Sequence, residues 1–290
     1  MHIVIAGAGA LGSLLGAYLA SAGEEVVLCG REAHVAAIRR NRGLRVSGVR
    51  GEFTVPLQAV TELSALREPV DLIVLGVKSQ DAEEALGLIG HLLGPRTQIV
   101  TPQNGVAVEE MVAAAYGEDH NLAAMTTITA NLVEPGHVFH SAEHRLDVGR
   151  RGRQDEACIR RIVETFNRAG IVAAQHDDIM RLKWQKLAIY CVGSILNAIT
   201  GLQSLAEGDD IRELMRNLGE EIVAVVEAGH VTSFPMASVG QDLRKGKRTE
   251  IDYLNGYIVS LGRRYGVPTP VNHCIYALVK SMEKTQYLKR

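Results

Sequence analysis

Cysteine is scarce: the 290 residues include four, Cys29, Cys158, Cys191 and Cys274, all far apart. No two form a C-x-x-C pair, which argues against a disulfide framework or a cysteine-rich zinc site and suits a reducing cytoplasm. Positive charge is not in excess either. The 31 basic groups are outnumbered by 33 acidic ones, giving a formal charge of −2, and this argues against nucleic acid or an anionic membrane as partner. Basic clusters at 149–154 and 243–248 are local and read as solvated charge, the second lying near more interesting residues. No apolar run reaches the roughly 18 residues that a membrane span needs. Met1 leads straight into a strand pattern, with no cleavable leader. A cytoplasmic protein without membrane contact is expected. His137, His140 and His144 lack a metal-binding pattern, since positions 137 and 140 point to opposite faces of a strand and no cysteine or carboxylate completes a set. No metal is expected, and no internal repeat or low-complexity tract appears.

What is present is ordinary globular material, 47% apolar and 22% charged, in a chain long enough for two domains. Near-continuous apolar segments at 2–7, 25–30, 71–77, 97–105 and 121–130 alternate with helical patterns near 10–22, 33–41, 79–92 and 106–116. Strands of that kind, separated by helices, imply a parallel sheet covered on both faces. Two further strands over 137–149 close this part. Beyond Gln175 the pattern becomes helical, over 179–200, 208–229, 238–265 and 270–285. The expectation is an α/β chain: a doubly wound parallel-sheet domain over 1–176, then an all-α domain over 177–290 for substrate or dimer contacts, with a cleft between.

The segment "IVIAGAGALGSLLG" places Gly7, Gly9 and Gly12 in G-x-G-x-x-G spacing between the first strand and first helix. There the first glycine permits a tight turn, the second admits a pyrophosphate, and the third lets helix and strand pack closely. The N–H groups opening the helix serve the phosphates. The first domain is therefore read as Rossmann-type, with Gly7, Ala8, Gly9, Ala10, Leu11 and Gly12 as the cofactor-binding loop. An NAD site usually carries an acid at the tip of the second strand. Here the tip reads "LCGRE": Gly30 leaves room for a 2′-phosphate and Arg31 can grip it, so NADPH is favoured, although Glu32 could serve a ribose hydroxyl if the register slipped.

In open parallel sheets ligands bind beyond the carboxyl ends of the strands. Two strands deliver polar residues there: "VLGVK" ends in Lys78, and "TPQNG" carries Asn104 and Gly105. In the helical half, "KLAIYCVGSILNAITG" begins with Lys186 and is otherwise almost wholly apolar. Lys186 either snorkels to solvent or faces the cleft as a general acid. The polar segment "RTEIDYLNGY" (248–257) holds Glu250 and Asp252, which cannot share one face of a helix, so one is a site carboxylate and the other a surface or capping group.

Taken in order, "GAGALGSLLG", "GVKSQD", "QNGV", "WQKLA…NAITG" and "TEIDYLNGYI" resemble the ketopantoate reductase family over essentially the whole chain. The resemblance implies NADPH-dependent reduction of a 2-oxo acid to a 2-hydroxy acid. It implies that Lys186 protonates the carbonyl oxygen as hydride arrives, that Glu250 holds the substrate hydroxyl, and that Ser238 binds the substrate carboxylate. It further implies that Asn104 stands beside the lysine and serves substrate and cofactor, that Lys78 lies near the cofactor, and that Arg31 holds the 2′-phosphate. A lysine desolvated in such a site has its pKa drawn down, with Glu250 opposing the shift. Monomers and homodimers both fit the resemblance.

The chain departs from the family pattern in the substrate pocket. The best-known members carry asparagines four and eight residues after the lysine, where this chain has Tyr190 and Ser194, and two more at positions occupied here by Ser204 and Pro235. Asn197 is a candidate substitute: eleven residues on, at about 100° each, a regular helix returns to within roughly 20° of Lys186. A packing amide or a cap near Gly201 is the alternative. Ketopantoate is the leading substrate. The rivals are another 2-oxo acid or hydroxy acid on the same fold, or a non-catalytic NADP-binding sensor.

Overall fold

A computed structural model describes residues 1–67, 69–142, 145–150, 156–200, 209–229 and 249–287. The chain divides into two units, Met1–Gln103 with Val108–Met180, and Asn104–Ala107 with Arg181–Arg290.

In the first unit the chain runs β1 (His2–Ala6), α1 (Ala10–Ser21), β2 (Glu25–Cys29), α2 (Glu32–Arg40), β3 (Leu44–Gly48), β4 (Phe53–Val55), β5 (Gln58–Val60) and β6 (Val70–Leu75). It continues through α3 (Ala82–Ile89), β7 (Leu93–Thr101), α4 (Ala107–Tyr116), β8 (Asn121–Thr126), β9 (Thr129–Glu134), β10 (His137–Ala142), β11 (Arg145–Gly149), α5 (Glu156–Arg168) and β12 (Val172–Gln175). Eight strands form one sheet in the order β12-β11-β8-β7-β6-β1-β2-β5, parallel at every junction except β8 with β11. Both faces are covered, which explains the unbroken apolar strands. Ile3 and Ile5 of β1 face one core layer with Leu14, Leu15 and Phe166, while Val4 and Ala6 face the other with Ile73, Leu86 and Ile89.

A second sheet, β4-β3-β10-β9, was not expected. Its strands β3 and β4, with β5 of the main sheet, are only three to five residues long and half exposed, so their hydrophobic signal is weak. The two strands expected over 137–149 are both present but belong to different sheets: β10 pairs with β3 and β9, while β11 joins the main sheet. The expected strand over 97–105 ends at Thr101, so Gln103, Asn104 and Gly105 belong to the following loop.

Among the described residues beyond Gln175 there is no strand. Helix α6 (Ile179–Ile189) runs into one π-helical turn, Tyr190–Ser194, and then α7 (Ile195–Thr200); α8 (Asp209–Ala228), α9 (Asn255–Tyr265) and α10 (Pro270–Tyr287) follow. Gly266, at φ 71°, closes α9 in the left-handed conformation, and Pro270 opens α10. The continuous helix expected over 238–265 is not seen in its described part. Ile251–Tyr253 form a 3-10 turn, and Leu254, at φ −114° and ψ −108°, separates that turn from α9. No described helix is long and apolar enough to cross a membrane.

Candidate active site

Steric demand shapes the glycine loop. A Cβ on Gly7 would lie 2.6 Å from the Val77 nitrogen, and one on Gly12 would lie 2.4 Å from the Gly7 carbonyl oxygen. Gly7 also has φ 110°, a conformation that disfavours side chains. Gly9 differs: its nearest neighbour would be the Gly76 oxygen at 3.5 Å, an ordinary contact, and it is exposed. The open side of the loop is therefore at the second glycine, where a pyrophosphate has to approach. Gly9 caps α1 without a side-chain hydrogen bond, and the first turn carries no acid, so its N–H groups suit an anion. The residues present fit a dinucleotide.

The same loop is fastened to the end of β2. The Gly7 and Ala8 N–H groups donate to the Cys29 carbonyl at 3.1 and 2.7 Å. A Cβ on Gly30 would lie 2.8 Å from that of Ala8. Arg31 follows as the exposed N-cap of α2, so loop, Gly30 and Arg31 come together; Glu32 beside it is also exposed. Lys78 is half-buried three residues past β6. The preceding turn is held by Gln103, whose Nε2 donates to the Leu75 and Val77 carbonyls at 2.5 and 2.9 Å. Gln103 was missed in the sequence, though it stands inside the quoted "TPQNG".

In the second unit Lys186 lies in the last turn of α6, half-buried, with its ammonium 5.4 Å from the centre of the Tyr190 ring. Burial draws its pKa from the ordinary lysine value down to about 8; the Lys183 ammonium pushes the same way, and the Glu250 carboxylate opposes both. Lys183, itself buried, is the second missed residue, and its three-residue spacing from Lys186 is the signal that could have found it. The Asn104 Nδ2 donates to Glu250 Oε2 at 3.4 Å. Gly105, at φ 85°, lets this turn lie against the Tyr253 carbonyl, which a Cβ would meet at 2.9 Å.

Glu250 and Asp252 differ in their partners. Asp252 accepts from Tyr276 Oη at 2.8 Å and Lys280 Nζ at 3.0 Å, both on α10, leaving Glu250 as the carboxylate grouped with Asn104 and Lys186. Ser194 is buried, and neither its hydroxyl nor the Asn197 Oδ1 has a hydrogen-bond partner among the described residues. Ser238, Ser204, Pro235, His144 and the 243–248 cluster lie outside the described residues.

A family model described as "Ketopantoate reductase PanE/ApbA" matches residues 3–153, and its C-terminal counterpart matches 178–239 and 232–283. The chain belongs to the ketopantoate reductase family. As a member of that family it is an oxidoreductase. It is 31% identical to the 2-dehydropantoate 2-reductase of Aquifex aeolicus (strain VF5) over 98% of this chain and 97% of that one. It is 30% identical to the enzyme of the same name from Pyrococcus horikoshii, covering 98% of each chain. Among solved structures, a PanE/ApbA family ketopantoate reductase from Ralstonia eutropha JMP134 matches with a TM-score of 0.89 and 32% identity, over 99% of this chain and 100% of that one. A ternary structure of D-mandelate dehydrogenase with NADH and anilino(oxo)acetate matches with a TM-score of 0.90 and 26% identity, over 99% of both chains.

Proposed function

We propose that this ketopantoate reductase family member reduces 2-dehydropantoate to pantoate with NADPH. The observation that carries the reading is the grouping of a desolvated lysine, a carboxylate and the asparagine that steadies it: Lys186, Glu250 and Asn104. A bound nicotinamide cofactor supplies the hydride. As charge builds on the substrate's carbonyl oxygen, the Lys186 ammonium stabilises it and yields its proton, and a pKa of about 8 suits a general acid near neutral pH. Glu250 accepts a hydrogen bond from the substrate hydroxyl, and Asn104 holds that carboxylate in place. Ser238 is assigned to the substrate carboxylate by resemblance alone. The preference for NADPH rests on Gly30 and the exposed Arg31 at the start of α2, where helix N–H groups and a guanidinium both favour a phosphate.

A second reading has its own support. Tyr190 lies against Lys186 where the family pattern carries an amide, and the fold matches a D-mandelate dehydrogenase closely. Both favour a 2-oxo acid, or a hydroxy acid in the oxidative direction, with a less polar side chain. Purified protein with NADPH and a panel of 2-oxo acids, ketopantoate included, separates the readings. Turnover of ketopantoate, lost in Lys186→Ala while NADPH still binds, supports the first. Turnover of other oxo acids alone moves the substrate. No turnover at all sinks the reductase and favours a non-catalytic NADP-binding sensor.

A further inference from the structure

The π turn at Tyr190–Ser194 separates Lys186 from the two pocket candidates that follow it. The Ile195 N–H reaches back five residues to the Tyr190 carbonyl. In an α-helix it would bond to the Cys191 carbonyl instead. That carbonyl, released from Ile195, accepts Asn255 Nδ2 at 3.1 Å. Asn255 is fully buried, and its other Nδ2 hydrogen goes to Asn272 Oδ1 at 3.0 Å. Two acceptors facing one amide leave a single sensible orientation for it. Asn272 in turn donates to Glu221 Oε2 at 2.7 Å, and Glu221 also accepts the Val271 and Asn272 N–H groups that open α10, at 2.7 and 2.8 Å. The chain of bonds thus runs from the start of α10 to one carbonyl of the π turn.

We infer that Asn255 is a positioning residue: by taking the Cys191 carbonyl it holds the π turn and so decides which side chain lines up with Lys186. The angles give the consequence. In an unbroken α-helix Ser194 stands roughly 80° from Lys186 and Asn197 roughly 20°. A π turn spends one more residue per turn, which brings Ser194 to roughly 20° and sends Asn197 to roughly 80°. Ser194, not Asn197, is then the pocket residue in line with the general acid. The alignment expected for Asn197 assumed a regular helix and does not hold across this turn.

The kinetic half of this inference rests on the reductase reading; the structural half does not. Asn255→Asp keeps the shape and removes both donors, and Asn255→Leu serves if the buried carboxylate prevents folding. In the crystal structure of the ligand-free variant, the Ile195 N–H is expected to move to the Cys191 carbonyl. On the 2-oxo acid that the wild type reduces, KM is expected to rise about tenfold, the size of one lost hydrogen bond. The alkaline limb of kcat should stay in place, because Lys186 precedes the turn. Deleting Gly193 removes the extra residue and should raise KM alike, with no further rise when Asn255→Asp is added. A π turn that survives in both position-255 variants overturns the inference, and so does a lost turn with KM unchanged. If the wild type reduces no 2-oxo acid, the reductase reading falls and the crystal structures alone decide the register: a lost turn upholds it, an intact one ends it.

Discussion

If Lys186 is the general acid, Lys183 and Glu250 should move the pH profile in opposite directions. Reduction needs the protonated ammonium, so with a pKa of about 8 the rate is flat below that value and falls tenfold per unit above it. At pH 9 about a tenth of the enzyme is then competent. Lys183 stands one helical turn away and is buried. Two ammonium groups one helical turn apart, at an effective dielectric of about 20, repel by an amount on the order of 1–2 kcal/mol, about one pH unit. Lys183→Met should therefore carry the limb from about 8 toward about 9, leaving about half the enzyme competent at pH 9, a gain of about fivefold in relative rate. Glu250→Gln removes a charge that raises the Lys186 pKa and should move the limb below 8. The assay is single-turnover loss of NADPH absorbance from pH 6 to 10, fitted for the position of the limb rather than its height, since on the proposed function Glu250→Gln should also weaken substrate binding. A limb that stays put in both variants, or shifts the same way in both, refutes the assignment of Lys186 as the proton donor.

Two further outcomes concern the cofactor loop. Gly12→Ala sets a Cβ 2.4 Å from a backbone oxygen and should cost about 1–3 kcal/mol of overpacking, whereas Gly9→Ala meets nothing nearer than 3.5 Å and should weaken cofactor binding alone. Thermal unfolding without cofactor separates them, and equal losses of stability would contradict the cradle geometry. Arg31→Ala should weaken NADPH by about 10- to 100-fold and NADH little, read by titration of nicotinamide fluorescence. Equal losses for the two cofactors would remove the phosphate grip.

The glycine loop was legible in the sequence because its constraint is steric and local: where a Cβ meets backbone, only glycine fits, and the spacing records it. The strands β1, β2, β6 and β8 were legible because burial on both faces leaves long apolar runs. The short strands β3, β4 and β5 were not, since half-exposed segments of three to five residues carry little pattern. The π turn was invisible for a different reason. "AIYCVGSIL" is apolar enough to be helix in either register, and the choice is made by Asn255, more than sixty residues later. Likewise Glu250 and Asp252 could not be told apart until Tyr276 and Lys280 were seen to occupy one of them.

That last point explains why so polar a segment sits in an otherwise apolar half. Thr249 gives its N–H and hydroxyl to the buried Glu283, both at 2.7 Å. Asp252 is held by Tyr276 and Lys280, and Asn255 by Asn272 and the Cys191 carbonyl. Three of the four polar residues between 249 and 255, tyrosine aside, are thus tied to helices around them. The fourth, Glu250, is turned toward Asn104 instead. A carboxylate on a loop would lose the advantage of placement by wandering through its rotamers, and small displacements of a reacting group are costly. Anchoring the residues on both sides of it gives a 3-10 turn the stiffness of a helix without burying the carboxylate that the proposed function assigns to the substrate hydroxyl. The polarity of the segment is therefore the means by which a single carboxylate is held still.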